Sequence, residues 1–166
     1  MSLPRRGVFL LLLVGCAGRT TADGGTRARG PEGRYDTGRP GAGWAAVAPG
    51  GADRAWHHRE NGATIYTDSN CAERFEDGPL PDLVQHATFG IATGTPVRDE
   101  PMALDGRDAH LRVVNGALDG VSVKVGAVVT RQHTCVYDLL YIAPPARFDA
   151  GWADFVAVVD GFQVRD

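Results

Sequence analysis

Residues 121–144 read VSVKVGAVVTRQHTCVYDLLYIAP, and the reading of this stretch decides the fold. Val121, Val123, Val125, Ala127 and Val129 alternate with Ser122, Lys124, Gly126, Val128 and Thr130, the period of two that marks a strand with unequal faces. The run from Thr134 to Ile142 is rich in β-branched and aromatic residues, which suit a pleated surface. With Gln132 and His133 as a two-residue turn, the hairpin pairs Val129 with Val136, Ala127 with Asp138, Val125 with Leu140 and Val123 with Ile142 on one face. The other face then pairs Thr130 with Cys135, Val128 with Tyr137, Gly126 with Leu139 and Lys124 with Tyr141. A one-residue slip would send every side chain to the opposite face. The first face is almost wholly apolar and must be covered; the second is mixed, and its expected cover is partial. Asp138 is the exception on the apolar face. It is either a structural carboxylate paired with an arginine or turn amides, or an acid of raised pKa in a cleft.

Outward from the hairpin, Ala103-Leu104-Asp105-Gly106 recurs as Ala117-Leu118-Asp119-Gly120. Asp-Gly between apolar runs is a strong hairpin signal, so Arg107 to Asn115 is the strand before the central hairpin. Thr95 to Asp99 and Pro101 to Leu104 read as an edge strand, because proline cannot donate to a ladder on both sides. Residues 97–142 thus form an antiparallel meander. An isolated Asp-Gly pair falls far short of a calcium loop. Upstream, residues 56–59 and 63–67 flank Asn61-Gly62 and predict a further hairpin. His57 and His58 are adjacent in a strand and point to opposite faces, so they read as ordinary strand histidines.

Two helices complete the pattern. Leu80, Leu83, Val84, Ala87 and Ile91 fall at helical spacing behind Asp77-Gly78-Pro79. Phe148, Trp152, Phe155, Val156 and Val159 make a closing stripe that reads as core packing, with Asp149 as the expected N-cap and Phe162 tucking back after Gly161. The fold class is therefore α+β: an antiparallel sheet of about five or six strands packed with two amphipathic helices, in a single domain over residues 44–166.

The first 16 residues stand apart. Arg5 and Arg6 precede a short apolar run, Val8 to Val14, too short for a bilayer that needs about 20 apolar residues. The run ends in Leu13-Val14-Gly15-Cys16, which resembles the bacterial lipobox. That resemblance implies cleavage before Cys16, diacylglycerol on its thiol, palmitate among the acyl chains, and an anchor in the bilayer. Each buried CH₂ adds about 0.8 kcal/mol, so a multiply acylated cysteine holds firmly. Ala17 in the next position implies the outer membrane, facing the periplasm. Residues 17–43 are rich in Gly, Arg, Thr and Pro with a single aromatic, Tyr35, and read as a disordered tether. Such a chain spans about 30 Å end to end.

Ten bases against seventeen acids give residues 44–166 a formal charge of −7. That sign repels phosphate backbones and argues against nucleic acid. Once Cys16 is assigned to lipid, Cys71 and Cys135 remain, and an oxidising compartment favours a bridge between them. Two rivals stay open at this stage. His133, Cys135 and Cys71 are three conceivable metal ligands, but a structural zinc site wants four. A Cys-His nucleophile would need a third partner.

The order of strand hairpin, helix, meander and closing helix is similar to that of PsbP-like domains. The residues carrying the likeness are Leu104-Asp105-Gly106-Arg107, Leu118-Asp119-Gly120, Cys135-Val136-Tyr137-Asp138-Leu139 and Phe155 with Gly161-Phe162. The chain also resembles bacterial envelope lipoproteins of unassigned activity. Both likenesses imply a non-enzymatic accessory role with no cofactor. Two expectations follow. One is an anchored protein that binds or braces an envelope partner. The other is a carrier or sensor holding a small apolar ligand between sheet and helix, with Tyr137, Asp138 and Tyr141 on the ligand face. An enzyme ranks third, because neither a nucleophile elbow nor a pair of catalytic carboxylates can be placed.

Overall fold

A computed structural model describes residues 27–29, 34–71, 78–91 and 94–165; the expected export signal, Cys16 and much of the expected tether lie outside them. The strands are β1 (Arg27–Arg29), β2 (Arg34–Asp36), β3 (Trp44–Val47), β4 (Arg54–His58), β5 (Ala63–Cys71), β6 (Arg98–Leu104), β7 (Arg107–Leu118), β8 (Val121–Gln132), β9 (Cys135–Ala143) and β10 (Gln163–Val164). The helices are α1 (Leu80–Ala87) and α2 (Phe148–Asp160). Seven strands form an antiparallel sheet in the order β3-β4-β5-β9-β8-β7-β6, and β1-β2-β10 make a small second sheet. The class is the expected one, with more strands than the five or six read from the sequence.

Turn chemistry sets the meander. Asp105 and Gly106 sit at φ 51° and 71°, and Asp119 and Gly120 at 49° and 81°, the paired positive angles of the hairpin turn that Asp-Gly favours. In the central hairpin the turn is His133-Thr134 rather than Gln132-His133, with His133 at φ 53°. Gln132 therefore pairs with Cys135, Thr130 with Tyr137 and Gly126 with Tyr141. Moving a turn by one residue shifts the pairing by two, so every side chain keeps its expected face. At the β4–β5 connection only Gly62 adopts positive φ; its N–H donates to His58 O (2.9 Å), and the Asn61 side chain accepts from Ala63 N (2.9 Å).

The mixed face, expected to be half covered, carries the principal core. Tyr137, Leu139 and Tyr141 are buried there beneath α2. The Tyr141 ring lies 4.9 Å from Phe148 and 5.7 Å from Phe155, and its hydroxyl donates to Phe148 O at 2.9 Å. Two glycines make this possible. A Cβ on Gly126 would stand 2.5 Å from the Trp152 ring, and one on Gly151 would stand 2.5 Å from the Tyr141 hydroxyl. Small residues under large rings turn a face that looks polar in sequence into a dense aromatic layer. Phe162 does tuck back, 5.4 Å from the Tyr137 ring. Asp149 is not the N-cap of α2. A 3₁₀ turn at Pro145–Arg147 leads in, Arg147 holds the cap position, and Asp149 lies inside the first turn.

The opposite face receives α1. Val84 packs on Ala127, Val129 and Val136, with Leu80, Leu83 and Ala87 around it. This helix stops at Ala87, short of the Ile91 expected from spacing. Thr88 Oγ1 bonds back to the carbonyls of Val84 and Gln85, and Gly90 turns the chain at φ 81°. Ile91 then reaches the sheet on its own, its carbonyl accepting from Ala117 N at 3.0 Å.

The segment from Arg34 to Gly43 is not tether. Tyr35 is fully buried, 5.4 Å from Tyr137 and 5.6 Å from Phe162. Its hydroxyl lies 3.1 Å from Asp53 Oδ2 and 3.0 Å from Thr67 Oγ1, and Ser69 Oγ donates to the same Asp53 oxygen at 2.8 Å. Arg54, also buried, donates to Tyr35 O and Thr37 Oγ1. Burial pushes the Tyr35 phenol well above its ordinary range and draws the Arg54 guanidinium below its own. One aromatic in a Gly- and Arg-rich stretch signals no periodicity, which is why composition alone put the boundary too late. Gly38 closes the join: its N–H donates to Val158 O at 3.0 Å, and a Cβ there would sit 1.8 Å from Ala157 O.

Cys71 and Cys135 face each other across β5 and β9 and are bonded, with an S–S distance of 2.07 Å. Closing a loop of 64 residues stabilises by roughly 4 kcal/mol in the chain-entropy account. The bridge excludes these thiols as metal ligands or nucleophiles in the oxidised protein.

Two outcomes follow in urea melts. Gly38→Ala is expected to lose about 2 kcal/mol or more by overpacking against backbone, whereas Gly51→Ala, with open space at its Cβ, is expected to change stability by less than about 0.5 kcal/mol. Reducing the Cys71–Cys135 bridge is expected to lower the urea midpoint while leaving the fold cooperative. An unchanged midpoint would mean that the cross-link contributes nothing.

Candidate functional site

The face that α1 only half covers holds the candidate site. Cross-strand register places Thr64 opposite Ile142, Tyr66 opposite Leu140, and Asp68 opposite Asp138 on β5 and β9. Val125 of β8 lies beside Ile142. Beyond α1 these side chains meet the tip of the β7–β8 hairpin. The Asp119-Gly120 turn pairs Leu118 with Val121, and both are exposed, by 44% and 66%. A groove of about 370 Å³ opens between them, floored by Thr64, Tyr66, Val123 and Ile142. Its floor is apolar apart from the Thr64 and Tyr66 hydroxyls, with Asp119 and Ser122 at the rim. His57 fixes one of those hydroxyls, its ring nitrogen 3.2 Å from Thr64 Oγ1. A groove of this size and lining suits an apolar side chain or a short hydrocarbon segment.

One pleat further along the same strands stands the acid pair. Asp138, read from sequence either as paired with an arginine or turn amides or as an acid of raised pKa, meets Asp68 directly across the ladder. Burial, then the Asp68 charge, pushes the Asp138 carboxyl up to about 7. Asp68 is also raised, by burial and then by Asp53. Like charges on opposed strand residues cannot both ionise cheaply, and burial weighs more heavily still, so the Asp138 carboxyl keeps its proton to higher pH than a free one.

Tyr137 and Tyr141 are not on this site. They point to the opposite face into the aromatic core, where they are 2% and 0% exposed, and burial pushes the Tyr141 phenol up to about 12. The groove itself opens beyond the end of α1, whereas Tyr137 and Tyr141 are packed among the rings beneath α2. Tyr66, Leu118 and Val121 were not singled out from sequence. Leu118 and Val121 were within reach, since an Asp-Gly turn puts its flanking residues on one face. Tyr66 and Asp68 depend on which strand pairs with β5. No group of three or more His, Cys, Asp or Glu among the described residues is placed to hold a metal ion.

No protein-family model and no curated protein matches this sequence. Solved structures do match its shape. Cyanobacterial PsbP (CyanoP) from Synechocystis superposes with a TM-score of 0.58 at 17% identity, over 91% of this chain and 100% of that one. LpqN, involved in cell envelope biogenesis of Mycobacterium tuberculosis, gives 0.58 at 12% identity over 81% and 84%. A protein from Bacteroides thetaiotaomicron gives 0.56 at 7% identity, covering 80% of this chain, which spans 45% of that larger one. At these identities the likeness concerns the fold. The chain has a PsbP-like α+β fold.

The acid pair yields a pH signature. A carboxyl raised on folding means that the native state binds more protons than the unfolded state, so stability falls as pH rises from about 4 to about 7 and then levels. Asp138→Asn is expected to remove that fall, raising Tm at pH 8 and leaving it nearly unchanged at pH 4. Parallel pH–Tm curves for the two proteins would contradict the assignment.

Proposed function

We propose that this chain is a lipid-anchored envelope protein whose domain binds an envelope partner through the apolar groove beside Leu118 and Val121. The reading is non-enzymatic and accessory. The single observation that carries it is the pairing of a defined groove with an exposed apolar lip, on the one sheet face that its own helix leaves partly open. Leu118 and Val121 gain nothing in the monomer from their exposure, and a contiguous apolar lip is a common mark of a docking surface.

The address is supported by the Arg5-Arg6 segment, the apolar run and Leu13-Val14-Gly15-Cys16, which lie in register for lipidation of Cys16. The Cys71–Cys135 bridge fits an oxidising compartment. A fold shared with a mycobacterial envelope-biogenesis protein is compatible with the same setting. No helix among the described residues is long and apolar enough to cross a membrane, so an acylated Cys16 would supply the anchor. Ala17 favours the outer membrane, with the domain in the periplasm. A second reading, a small apolar ligand held by the groove, draws on the same cavity volume.

Both parts are testable in cells. Labelled palmitate is expected to enter the protein, and Cys16→Ser is expected to move it from the membrane to the soluble fraction. A photocrosslinker at Val121 is expected to give a discrete protein adduct that Leu118→Asp abolishes while Tm stays within about 2 °C. A lipid-sized adduct would support the ligand reading, and no adduct of either kind would overturn the groove as the binding surface.

A further inference from the structure

A second concave site lies on the other side of the sheet, where the start of α2 meets β6, β7 and β8. Its volume is about 230 Å³, and Arg98, Val113, Lys124, Phe148, Asp149 and Trp152 are among the residues that line it. Three features set it apart. Lys124 is the sole lysine in the sequence, and its ammonium lies 4.4 Å from the centre of the Phe148 ring. The Arg98 guanidinium lies 5.9 Å from the Trp152 ring centre. The two rings stack on one another, 5.1 Å apart at 29°, so cations and aromatic faces border a single hollow. Trp152 can lie this close to the strands because residue 126 is glycine.

The neighbouring carboxylates do not close the hollow. Asp149 approaches Lys124 only to 3.9 Å and its side chain is 96% exposed, while Glu100, the ion-pair partner of Arg98, is half exposed. Exposed pairs of this kind exchange cheaply for another anion, because solvent screens most of their attraction. A ring placed against Trp152, which is only partly buried, gains stacking contacts, and a carboxylate on that ring meets Lys124 and Arg98 together.

We propose that this hollow is a binding site for a small aromatic carboxylate, distinct from the groove on the opposite face. Recognition needs both parts of the ligand: the flat apolar body for the ring stack and the negative charge for the cation pair.

Benzoate is the test probe, titrated into the full-length protein while the tryptophan indole N–H resonances are followed by NMR, with Trp152→Phe identifying the relevant signal. A saturable shift of the Trp152 resonance is expected with benzoate, and not with acetate, which lacks the ring, or benzyl alcohol, which lacks the charge. Lys124→Gln is expected to weaken benzoate at least about tenfold, and Lys124→Arg to retain most of the affinity. Melting curves of both variants verify the fold. A non-saturating shift, an equal response to acetate, or unchanged affinity in Lys124→Gln would each overturn the proposal. The last result would reduce the hollow to a packing defect at the start of α2.

Discussion

The pleat of β9 is the constraint on which the rest of the molecule depends. This strand lies between β5 and β8, so hydrogen bonds on both edges fix its register, and its alternate side chains must serve two different environments. Cys135, Tyr137, Leu139 and Tyr141 go to one side; Val136, Asp138, Leu140 and Ile142 go to the other. Aromatic burial under α2 holds the first set in place. Each large side chain removed from water contributes on the order of 2 kcal/mol, and the interlocked rings allow little sliding. Once that side is locked, the position of every residue on the far side is determined. The acid pair and the groove floor are therefore consequences of the aromatic core beneath them.

The two faces are finished differently. The core face is sealed by α2, by Phe162 and by the incoming segment around Tyr35, whose hydroxyl is satisfied by Asp53 and Thr67. The other face is covered by the two turns of α1 and by Ile91, and this short cover ends before the sheet does. The groove is the uncovered remainder, bordered by a hairpin tip that Asp119-Gly120 holds in shape. An opposed carboxylate pair on the same face is a local cost to stability at neutral pH, tolerated because the disulfide three residues along the same strands and the core below hold the strands together.

Much of the fold was legible because it rests on local rules. Period-two alternation marked β8, the Asp-Gly pairs marked the hairpins, and apolar spacing marked both helices. The displaced central turn did no damage, since a shift of two in pairing preserves the faces. Tyr35 shows where such reading stops. Its burial depends on a hole between Tyr137 and Phe162 that forms only when β9, α2 and β2 meet, and a single aromatic in polar surroundings carries no trace of that hole. Tyr137 and Tyr141 went astray for a related reason: tyrosines on a face containing Gly, Thr and Lys look half exposed until α2 is laid over them.

By itself the sequence determined the elements, the parity of the sheet and the sign of the domain's charge, because each depends on residues close in the chain or on composition. Tertiary structure decided that Asp68 stands opposite Asp138, that Tyr66 floors a groove whose lip is more than 50 residues away in the chain, and that a lone lysine lies over an aromatic stack. Those juxtapositions arise from the pairing of β5 with β9 and the seating of two helices. They are governed by packing between segments distant in the chain, which a linear pattern of residues does not encode locally.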